Sequence, residues 1–237
     1  MHKKDPIGNA IWDFHNDSHP EDITVKSDFM EDDFMPIHYL FRKFDDFPEL
    51  EKIAMQYCKG KVLDIGAGAG PHTSYLLEND FDVSTIEISS GAHRYLKETL
   101  PKAQHFHGNL YDFHKKGFDT ILLLMNGIGL ANNFNNIVPF LKHLANLLNE
   151  DGRILCESTD VADVFKDQDG SIWIDLSVQY YGEFNFKMIY KESESDWFTW
   201  VYLDRKNFKN FANEAGLTFE ILYDEDEAFL VELKKKK

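Results

Sequence analysis

From residue 61 onwards, short apolar runs alternate with segments whose apolar residues recur at helical spacing. The apolar runs predict strands over residues 62–65, 82–88, 103–107, 118–125 and 153–158. Helices are predicted between them, over residues 71–78, from residue 90 onwards and over residues 135–148. The fourth run is mostly apolar, as expected of a strand that is covered on both faces. This alternation predicts an α/β fold in which helices cover both faces of a parallel sheet.

The two flanks of this region differ from it. Before it, prolines divide residues 1–57, and helical spacing predicts helices over 7–15, 37–47 and 48–57. After it, aromatic-rich runs predict strands over 171–176, 184–191 and 197–203. A helix capped by Asp204 and a strand pair over 217–223 and 228–233 complete the chain. We expect a single domain over 1–237, made of an N-terminal helical cap (1–57), a core (58–160), a β insertion (171–203) and a final helix and strand pair (204–237).

Charge narrows the range of partners. The 237 residues include 25 Lys and Arg against 41 Asp and Glu, which gives a net charge of −16. Because that charge repels phosphate backbones, we expect no nucleic-acid partner. The longest clean apolar stretch, Ile121 to Met125, is too short to span a bilayer, so no membrane partner is expected either.

The two cysteines, Cys58 and Cys156, are too few for a disulfide scaffold in a chain of this length. The lysines near the start of the sequence are not followed by an apolar segment, unlike those of a secretory signal. The sequence therefore predicts a cytoplasmic protein.

The most informative stretch is Val62 to Gly70, which reads VLDIGAGAG and lies between a predicted strand and a predicted helix. Glycines at such a turn let the backbone approach a ligand closely. Glu87 ends the next predicted strand, about twenty residues on. Since adjacent parallel strands end side by side, this carboxylate is expected to face the same crevice, where an acid accepts hydrogen bonds from ribose hydroxyls.

Three nucleotide chemistries compete for this loop. A Walker phosphate loop fails, because Gly60-Lys61 precedes the strand and is followed by Val62. A dinucleotide fingerprint places a small residue where Pro71 stands, and Asp64 would repel a pyrophosphate. A carboxylate at Asp64 suits a ligand that carries a cation or an amine. Pro71 and Asp64 therefore weigh against an NAD(P)-dependent oxidoreductase, which remains the alternative enzyme class.

This pattern resembles the first motif of the class I S-adenosylmethionine-dependent methyltransferases, in which two apolar residues, Asp and an apolar residue precede Gly-x-Gly-x-Gly. The resemblance extends through residues 107–112, 118–122 and 147–155. It implies a Rossmann-like fold with a seven-stranded, mostly parallel sheet whose last strand is antiparallel. It also implies S-adenosylmethionine as cofactor. S-adenosylmethionine is the methyl donor, and the resemblance implies contacts to this donor from Asp64, Gly66, Ala67, Gly68, Glu87, Ile88, Asn109 and Leu110.

The family resemblance gives these residues distinct expected roles. Asp64 would lie near the methionine amino group, Glu87 would bind the ribose hydroxyls, and Ile88 would lie beside the adenine. A helix before the first motif often covers the donor in this family, which brings in Tyr39 and Arg42. Arg42 would either pair with the donor carboxylate or form a surface ion pair with a neighbouring aspartate.

The end of the fourth predicted strand indicates the reacting centre. Ligands of open α/β sheets bind outside the carboxyl ends of the strands, so Met125 and Asn126 are expected beside the methyl-donor sulfur. Asn126 either contacts the donor or acceptor or simply forms the turn before Gly127. The Pro-Pro-Tyr stretch of amino methyltransferases that act on adenine or amide nitrogens does not follow here, nor does the cysteine of cytosine C5 enzymes. Both differences weigh against nucleic-acid substrates.

No residue is assigned as catalytic. Ser158 and Asp160 are candidates to orient a substrate or to act as base, because they follow the fifth predicted strand. His105, His107 and His114 lack carboxylates at metal-ligand spacing, so no metal site is expected. The sequence predicts methyl transfer from S-adenosylmethionine to a small-molecule acceptor. The alternatives are the oxidoreductase and a non-catalytic S-adenosylmethionine-binding module, and an acceptor-sized cavity beside the sulfur position would favour the enzyme.

Overall fold

The structure, a computed structural model, describes residues 3–166 and 180–237. The strand predicted over 171–176 lies outside these residues. The strands are β1 (Ile23–Ser27), β2 (Asp33–Met35), β3 (Lys61–Ile65), β4 (Asp82–Glu87), β5 (Gln104–His107), β6 (Phe118–Leu123), β7 (Leu148–Thr159), β8 (Glu183–Tyr190), β9 (Ser193–Glu194), β10 (Phe198–Val201), β11 (Glu220–Glu225) and β12 (Ala228–Lys234). The α-helices are α1 (Pro6–His15), α2 (Glu49–Tyr57), α3 (Pro71–Glu78), α4 (Ser90–Thr99), α5 (Ile137–Leu147) and α6 (Arg205–Glu214).

Seven strands form the main sheet in the order β11-β12-β7-β6-β3-β4-β5. β12 runs antiparallel to both of its neighbours, whereas the other pairs are parallel. This confirms the predicted Rossmann-like sheet with its last strand antiparallel. After β5 the chain returns to the other side of β3, so the strand order reverses between β3 and β6. Ligands of such sheets bind at that reversal, outside the carboxyl ends of the strands.

The main sheet is buried because successive side chains of its central strands enter opposite hydrophobic clusters. On one face, Leu63 and Ile65 of β3 pack in a cluster that also holds Phe140 of α5 and Phe208 of α6. On the other face, Val62 packs in a cluster with side chains of α2 and α3. The continuous apolar runs of the sequence follow from this two-sided burial.

A second, antiparallel sheet joins the two flanks of the chain, in the order β10-β8-β1-β2 with β9 paired to β8. Thr24 of β1 lies opposite Ile189 of β8, 165 positions later. The sequence predicts only helices in residues 1–57, so β1 and β2 correct that expectation. The predicted insertion strands at 184–191 and 197–203 correspond to β8 and β10, and β8 extends the N-terminal segment rather than standing apart from it.

The helix predicted over 37–47 is also corrected. The structure has two short 3-10 segments, Ile37–Phe41 and Phe44–Asp46, because Arg42 and Lys43 between them adopt extended backbone conformations. This bend turns the Arg42 side chain inward, where it is buried. The consequence for the site is described below.

Helix α1 packs against α4 at a close crossing. A Cβ atom on Gly8 would lie 2.7 Å from the Cα of Gly91, so neither position has room for a larger side chain. The Asp5 carboxylate accepts from the N–H groups of Gly8 and Gly91, at 3.0 and 2.8 Å, and from the hydroxyl of Ser89 at 2.7 Å. One buried carboxylate thereby caps the N-termini of two helices and ties the N-terminal segment to the end of β4.

None of the helices in the described residues combines the length and the apolar character needed to cross a membrane.

Candidate active site

The glycine loop connects β3 to α3 at the reversal of strand order. Gly66, Gly68 and Gly70 have φ values of +73°, +57° and +77°, a region that side chains other than glycine rarely occupy. The Gly66 N–H donates to the Ile86 carbonyl of β4 at 2.9 Å, which fixes the start of the loop. A Cβ atom on Gly68 would meet no atom within 4 Å, so the backbone here borders open space.

Asp64 lies beneath this loop and is 4% exposed. Its Oδ2 accepts a hydrogen bond of 2.6 Å from the Thr73 hydroxyl. Burial raises the pKa of the Asp64 carboxyl, although the positive field of His72 and the Thr73 hydrogen bonds oppose the rise. A carboxylate desolvated in this way is stabilised by any cationic group that comes into contact with it.

Glu87 ends β4 and is 7% exposed. Its Oε2 accepts from the Gly68 N–H at 2.9 Å and its Oε1 from the Ser89 N–H at 2.8 Å. Burial raises the pKa of Glu87, and these backbone hydrogen bonds act in the opposite direction. The carboxylate thus holds the glycine loop in place. The next side chain, Ile88, is 67% exposed and presents an apolar surface beside it.

Residues after β5 complete this edge of the crevice. The Gly108 N–H donates to the Glu87 carbonyl at 3.1 Å, which holds the end of β5 beside the end of β4. The following Asn109 is exposed, and its Oδ1 accepts from the Tyr111 N–H at 2.9 Å. Leu110 is instead buried in the main core. Only Asn109 of this pair presents its side chain at the surface.

Arg42 belongs to a buried ionic network with Glu51 and His72. Its Nη2 donates to Glu51 Oε1, and Nη1 donates to the Tyr39 carbonyl at 2.6 Å. The other oxygen of Glu51 lies 2.8 Å from His72 Nε2. Burial tends to raise the pKa of Glu51, but the hydrogen bonds and positive fields of His72 and Arg42 lower it below its usual value. Arg42 Nε is buried without a partner in the described part of the chain.

The turn after β6 brings Met125 and Asn126 into the crevice. Both residues are left-handed, with φ values of +54° and +57°. Glu157 Oε2 accepts from the Met125 N–H at 2.7 Å, and the Thr159 hydroxyl donates to Asn126 Oδ1 at 2.8 Å. Two consecutive residues in this conformation are strained, and the hydrogen bonds of Glu157 and Thr159 at the end of β7 hold the turn in it.

Two cavities meet at Met125, which lines both. A small niche of about 40 Å³ lies between the glycine loop and Leu40, and Asp64 and His72 form part of its wall. That volume holds about three water molecules. A larger cavity of about 520 Å³ extends from Met125 to the turn between β11 and β12, a size typical of small-molecule sites. Tyr39, Asn126 and Glu157 line it.

Known proteins match both the sequence and this architecture. A family model described as "Methyltransferase domain" matches residues 37–220. The solved S-adenosylmethionine-dependent methyltransferase from Bacteroides fragilis, crystallised with S-adenosyl-L-homocysteine, is 34% identical to this chain. The match covers 100% of this chain and 97% of the other, with a TM-score of 0.92. The chain belongs to the S-adenosylmethionine-dependent methyltransferases.

More distant relatives of this methyltransferase include one described as "Uncharacterized methyltransferase" from Staphylococcus carnosus (strain TM300). It is 23% identical over 198 residues, which are 81% of this chain and 86% of the relative. The sugar N-methyltransferase KedS8 from Streptoalloteichus sp. is 13% identical, with a TM-score of 0.55 and coverage of 79% and 85%. At that identity the similarity to KedS8 shows the common fold alone.

The methyltransferase brings most of the predicted site residues together. Asp64, the glycine loop and Met125 line the niche, whereas Tyr39 and Asn126 line the larger cavity. Arg42 lies behind them and pairs with Glu51, rather than with Asp45 or Asp46 as the surface alternative supposed. Within residues 3–166 and 180–237, no group of three potential ligands could hold a metal ion.

The candidate base residues at the end of β7 lie elsewhere. The Ser158 hydroxyl is fully buried and donates to the Leu203 carbonyl at 2.8 Å, and Ser158 does not line the cavity. Asp160 accepts from the Tyr181 hydroxyl at 2.8 Å. Glu157, one residue earlier than Ser158, faces the cavity because adjacent side chains of a strand alternate. A lone carboxylate after the apolar run Ile154–Cys156 is the signal that identifies it.

Proposed function

We propose that this methyltransferase transfers a methyl group to a small-molecule acceptor that binds in the 520 Å³ cavity. When bound, S-adenosylmethionine supplies an electrophilic methyl group on a sulfonium sulfur. The observation that carries the proposal is the position of Met125 between the niche and the larger cavity. A non-catalytic binding module would need no second cavity of this size, so its presence supports an enzyme.

The niche and the adjoining surface suit the donor. Asp64, desolvated and with a raised pKa, is the group we assign to the donor's ammonium. Glu87 retains acceptor capacity on both oxygens after its two backbone hydrogen bonds, so we assign it to the ribose hydroxyls. The exposed face of Ile88 offers an apolar contact for the adenine, and Asn109 follows at the same edge.

The glycine loop and the residues above the niche complete the assignment. Gly66, Ala67 and Gly68 present backbone to the donor, and for Leu110 only the backbone is available, because its side chain is in the core. Arg42 Nε, buried without a partner in the described residues, is the group that remains for the donor's carboxylate. Because the niche is only about 40 Å³, we expect Leu40 and its 3-10 segment to move outward when the donor enters.

Two sequence-based expectations remain part of the proposal. The charge of −16 supports a small acceptor over a nucleic acid. Cys58 and Cys156 are both free and buried, which supports a reducing compartment such as the cytoplasm.

Isothermal titration calorimetry tests the assignment of the niche. S-adenosylhomocysteine and S-adenosylmethionine should each bind with one site per chain, and NADH should neither bind nor compete. Tight NADH binding with no heat from S-adenosylhomocysteine would overturn the proposal. A second titration with Asp64→Asn should weaken the binding of S-adenosylhomocysteine, which keeps the ammonium, more than that of adenosine, which lacks it.

A further inference from the structure

The larger cavity has an unbalanced charge. Its lining includes five carboxylates, and no Lys, Arg or His side chain lines it within the described part of the chain. The five are Glu51, Glu157, Glu225, Asp226 and Glu227. Glu51 is neutralised by its buried partners, whereas the other four form no ion pair with a described residue. The cavity therefore favours a cationic occupant and disfavours an anionic one.

The four unpaired carboxylates lie at two depths. Glu225 ends β11 and Asp226 and Glu227 form the turn to β12; all three are exposed, at the mouth of the cavity. Arg205 of α6 approaches this turn but is paired with Asp224, and it does not line the cavity. These acids can attract a cation from solution but are too well solvated to fix it.

Glu157 is different, because it lies partly buried at the inner end of the cavity. Its Oε2 accepts from the Met125 N–H at 2.7 Å, so the carboxylate is held at the residue that lines both the niche and this cavity. Tyr39 lines the same cavity, and its ring lies under the Arg42 guanidinium with the centroid 4.0 Å from Cζ. The innermost wall thus combines a fixed carboxylate with an aromatic ring, the elements that bind an ammonium group.

Burial raises the pKa of Glu157 to about 7, with the Met125 hydrogen bond opposing the rise and the charge of Glu51 adding to it. A carboxyl group with that pKa is suited to accept a proton near neutral pH. The ionisable groups whose fields act on Glu157, or on which Glu157 acts, are Glu51, His72, Tyr39, Cys156 and Tyr202.

We propose that the cavity takes an amine acceptor and that Glu157 is the catalytic residue that receives the proton of its nitrogen. This inference rests on the proposed function. Glu157 first takes a proton from the bound ammonium, which leaves a neutral nitrogen with a free electron pair. That nitrogen forms the new N–CH₃ bond while the S–CH₃ bond breaks, and the bonding electron pair stays on sulfur as S-adenosylhomocysteine. Charge is balanced, because the positive charge of the sulfonium passes to the N-methylammonium product and the proton taken from the ammonium neutralises the Glu157 carboxylate.

The test uses probes matched in skeleton and different in charge. Calorimetry on the enzyme saturated with S-adenosylhomocysteine would compare 2-phenylethylamine, 2-phenylethanol and phenylacetate, and then glucosamine, glucose and glucuronate. We expect the amine of at least one series to bind at least tenfold more tightly than its alcohol and its acid. With S-adenosylmethionine, mass spectrometry should find the added methyl group on nitrogen only.

Glu157→Gln removes the charge of the carboxylate and keeps the shape of the side chain. We expect it to weaken amine binding at least tenfold at pH 8, to remove the fall in amine affinity between pH 8 and pH 6, and to leave S-adenosylhomocysteine affinity within twofold. Glu214→Gln, the same change at an exposed position of α6, should match the wild type in all three measurements.

Three results would overturn the inference. They are preferential binding or methylation of an alcohol or acid, absence of binding by both amines, and an unchanged pH profile in Glu157→Gln. In each case S-adenosylhomocysteine still binds, so the proposed function survives. Failure of the wild type to bind S-adenosylhomocysteine would instead overturn the proposed function, and this inference with it.

Discussion

Replacing Glu87 by glutamine keeps the shape of the side chain and removes its charge. In the absence of ligand two effects oppose each other. The amide nitrogen cannot accept the hydrogen bond that one carboxylate oxygen now receives from Gly68 or Ser89, which costs about 1–3 kcal/mol. The substitution also removes a buried charge whose pKa is raised by desolvation, and this relief stabilises the folded state. We therefore expect the thermal midpoint without ligand to change by only a few degrees.

The effect on ligand binding should be much larger. Hydrogen bonds to a charged group contribute about 1.5–3 kcal/mol and those between neutral groups about 0.5–1.5 kcal/mol. Two ribose hydroxyls that lose a charged acceptor therefore lose about 2–3 kcal/mol together. This corresponds to a Kd for S-adenosylhomocysteine that is about 30- to 150-fold higher.

The assay is calorimetry with S-adenosylhomocysteine, together with thermal denaturation of the ligand-free protein. Glu214→Gln, an exposed change of the same kind on α6, serves as the control and should behave as the wild type in both. An affinity for Glu87→Gln within threefold of the wild type would refute the ribose assignment. A large fall in the ligand-free thermal midpoint with affinity retained would make Glu87 a structural residue.

Three further predictions concern the supporting structure. Gly68→Ala places a Cβ atom on a residue with φ +57°, at a cost of about 1–2 kcal/mol. The new atom projects into the open space beside the loop that we assign to the donor, so S-adenosylhomocysteine affinity measured by calorimetry should fall at least tenfold. Glu51→Gln leaves the Arg42 guanidinium buried without its carboxylate and should lower the free energy of unfolding by about 3–5 kcal/mol in urea denaturation. The pKa of Asp5 is lowered, because hydrogen bonds from Ser89, Gly91 and Gly8 outweigh the effect of burial. Its carboxylate therefore stabilises the folded state at pH values above the ordinary carboxyl pKa of about 4, and this stabilisation is lost as the pH falls through the lowered pKa. Asp5→Asn should be less stable than the wild type from pH 5 to 8 and should approach it below pH 4.

Each of these has a contradicting result. Unchanged ligand affinity in Gly68→Ala would mean that the open space beside the loop is not used by the donor. A loss below about 1 kcal/mol in Glu51→Gln would mean that solvent reaches Arg42. A destabilisation by Asp5→Asn that persists unchanged to pH 3 would show that shape, rather than charge, carries the capping role of Asp5.

The central sheet could be predicted from sequence because its strands are buried on both faces and follow one another with short connections. The glycine loop and Glu87 were predictable for a related reason, since strands that are adjacent in the sheet are also close in the chain. The second sheet could not be predicted in the same way. Ile23 to Ser27 has its partner in β8, and no local pattern indicates a pairing 165 residues away.

The same limit changes how the insertion is understood. From sequence, residues 171–203 form a separable addition to a complete sheet. In the structure, β8 pairs with β1, and the buried Tyr190 donates its hydroxyl hydrogen to Asp13 of α1 at 3.0 Å. Removing the insertion would therefore leave β1 of the N-terminal segment without its partner strand β8.

Within the site, the direction of a side chain was harder to predict than its position along the chain. Ser158 and Glu157 are adjacent, and because neighbouring side chains of a strand point to opposite faces, only Glu157 faces the cavity. For Arg42 the sequence left open a pairing with the donor or a surface ion pair. A break between two 3-10 segments turns it inward to Glu51, a residue that resembles an ordinary solvated helix position in sequence.

The decisive measurement is a crystal structure of the protein with S-adenosylhomocysteine bound. We expect both ribose hydroxyls to lie within hydrogen-bonding distance of the Glu87 carboxylate and the amino group to contact Asp64 directly or through water. The sulfur should face the cavity lined by Met125 and Glu157. A nucleoside bound away from Glu87, or a sulfur turned away from that cavity, would contradict this expectation.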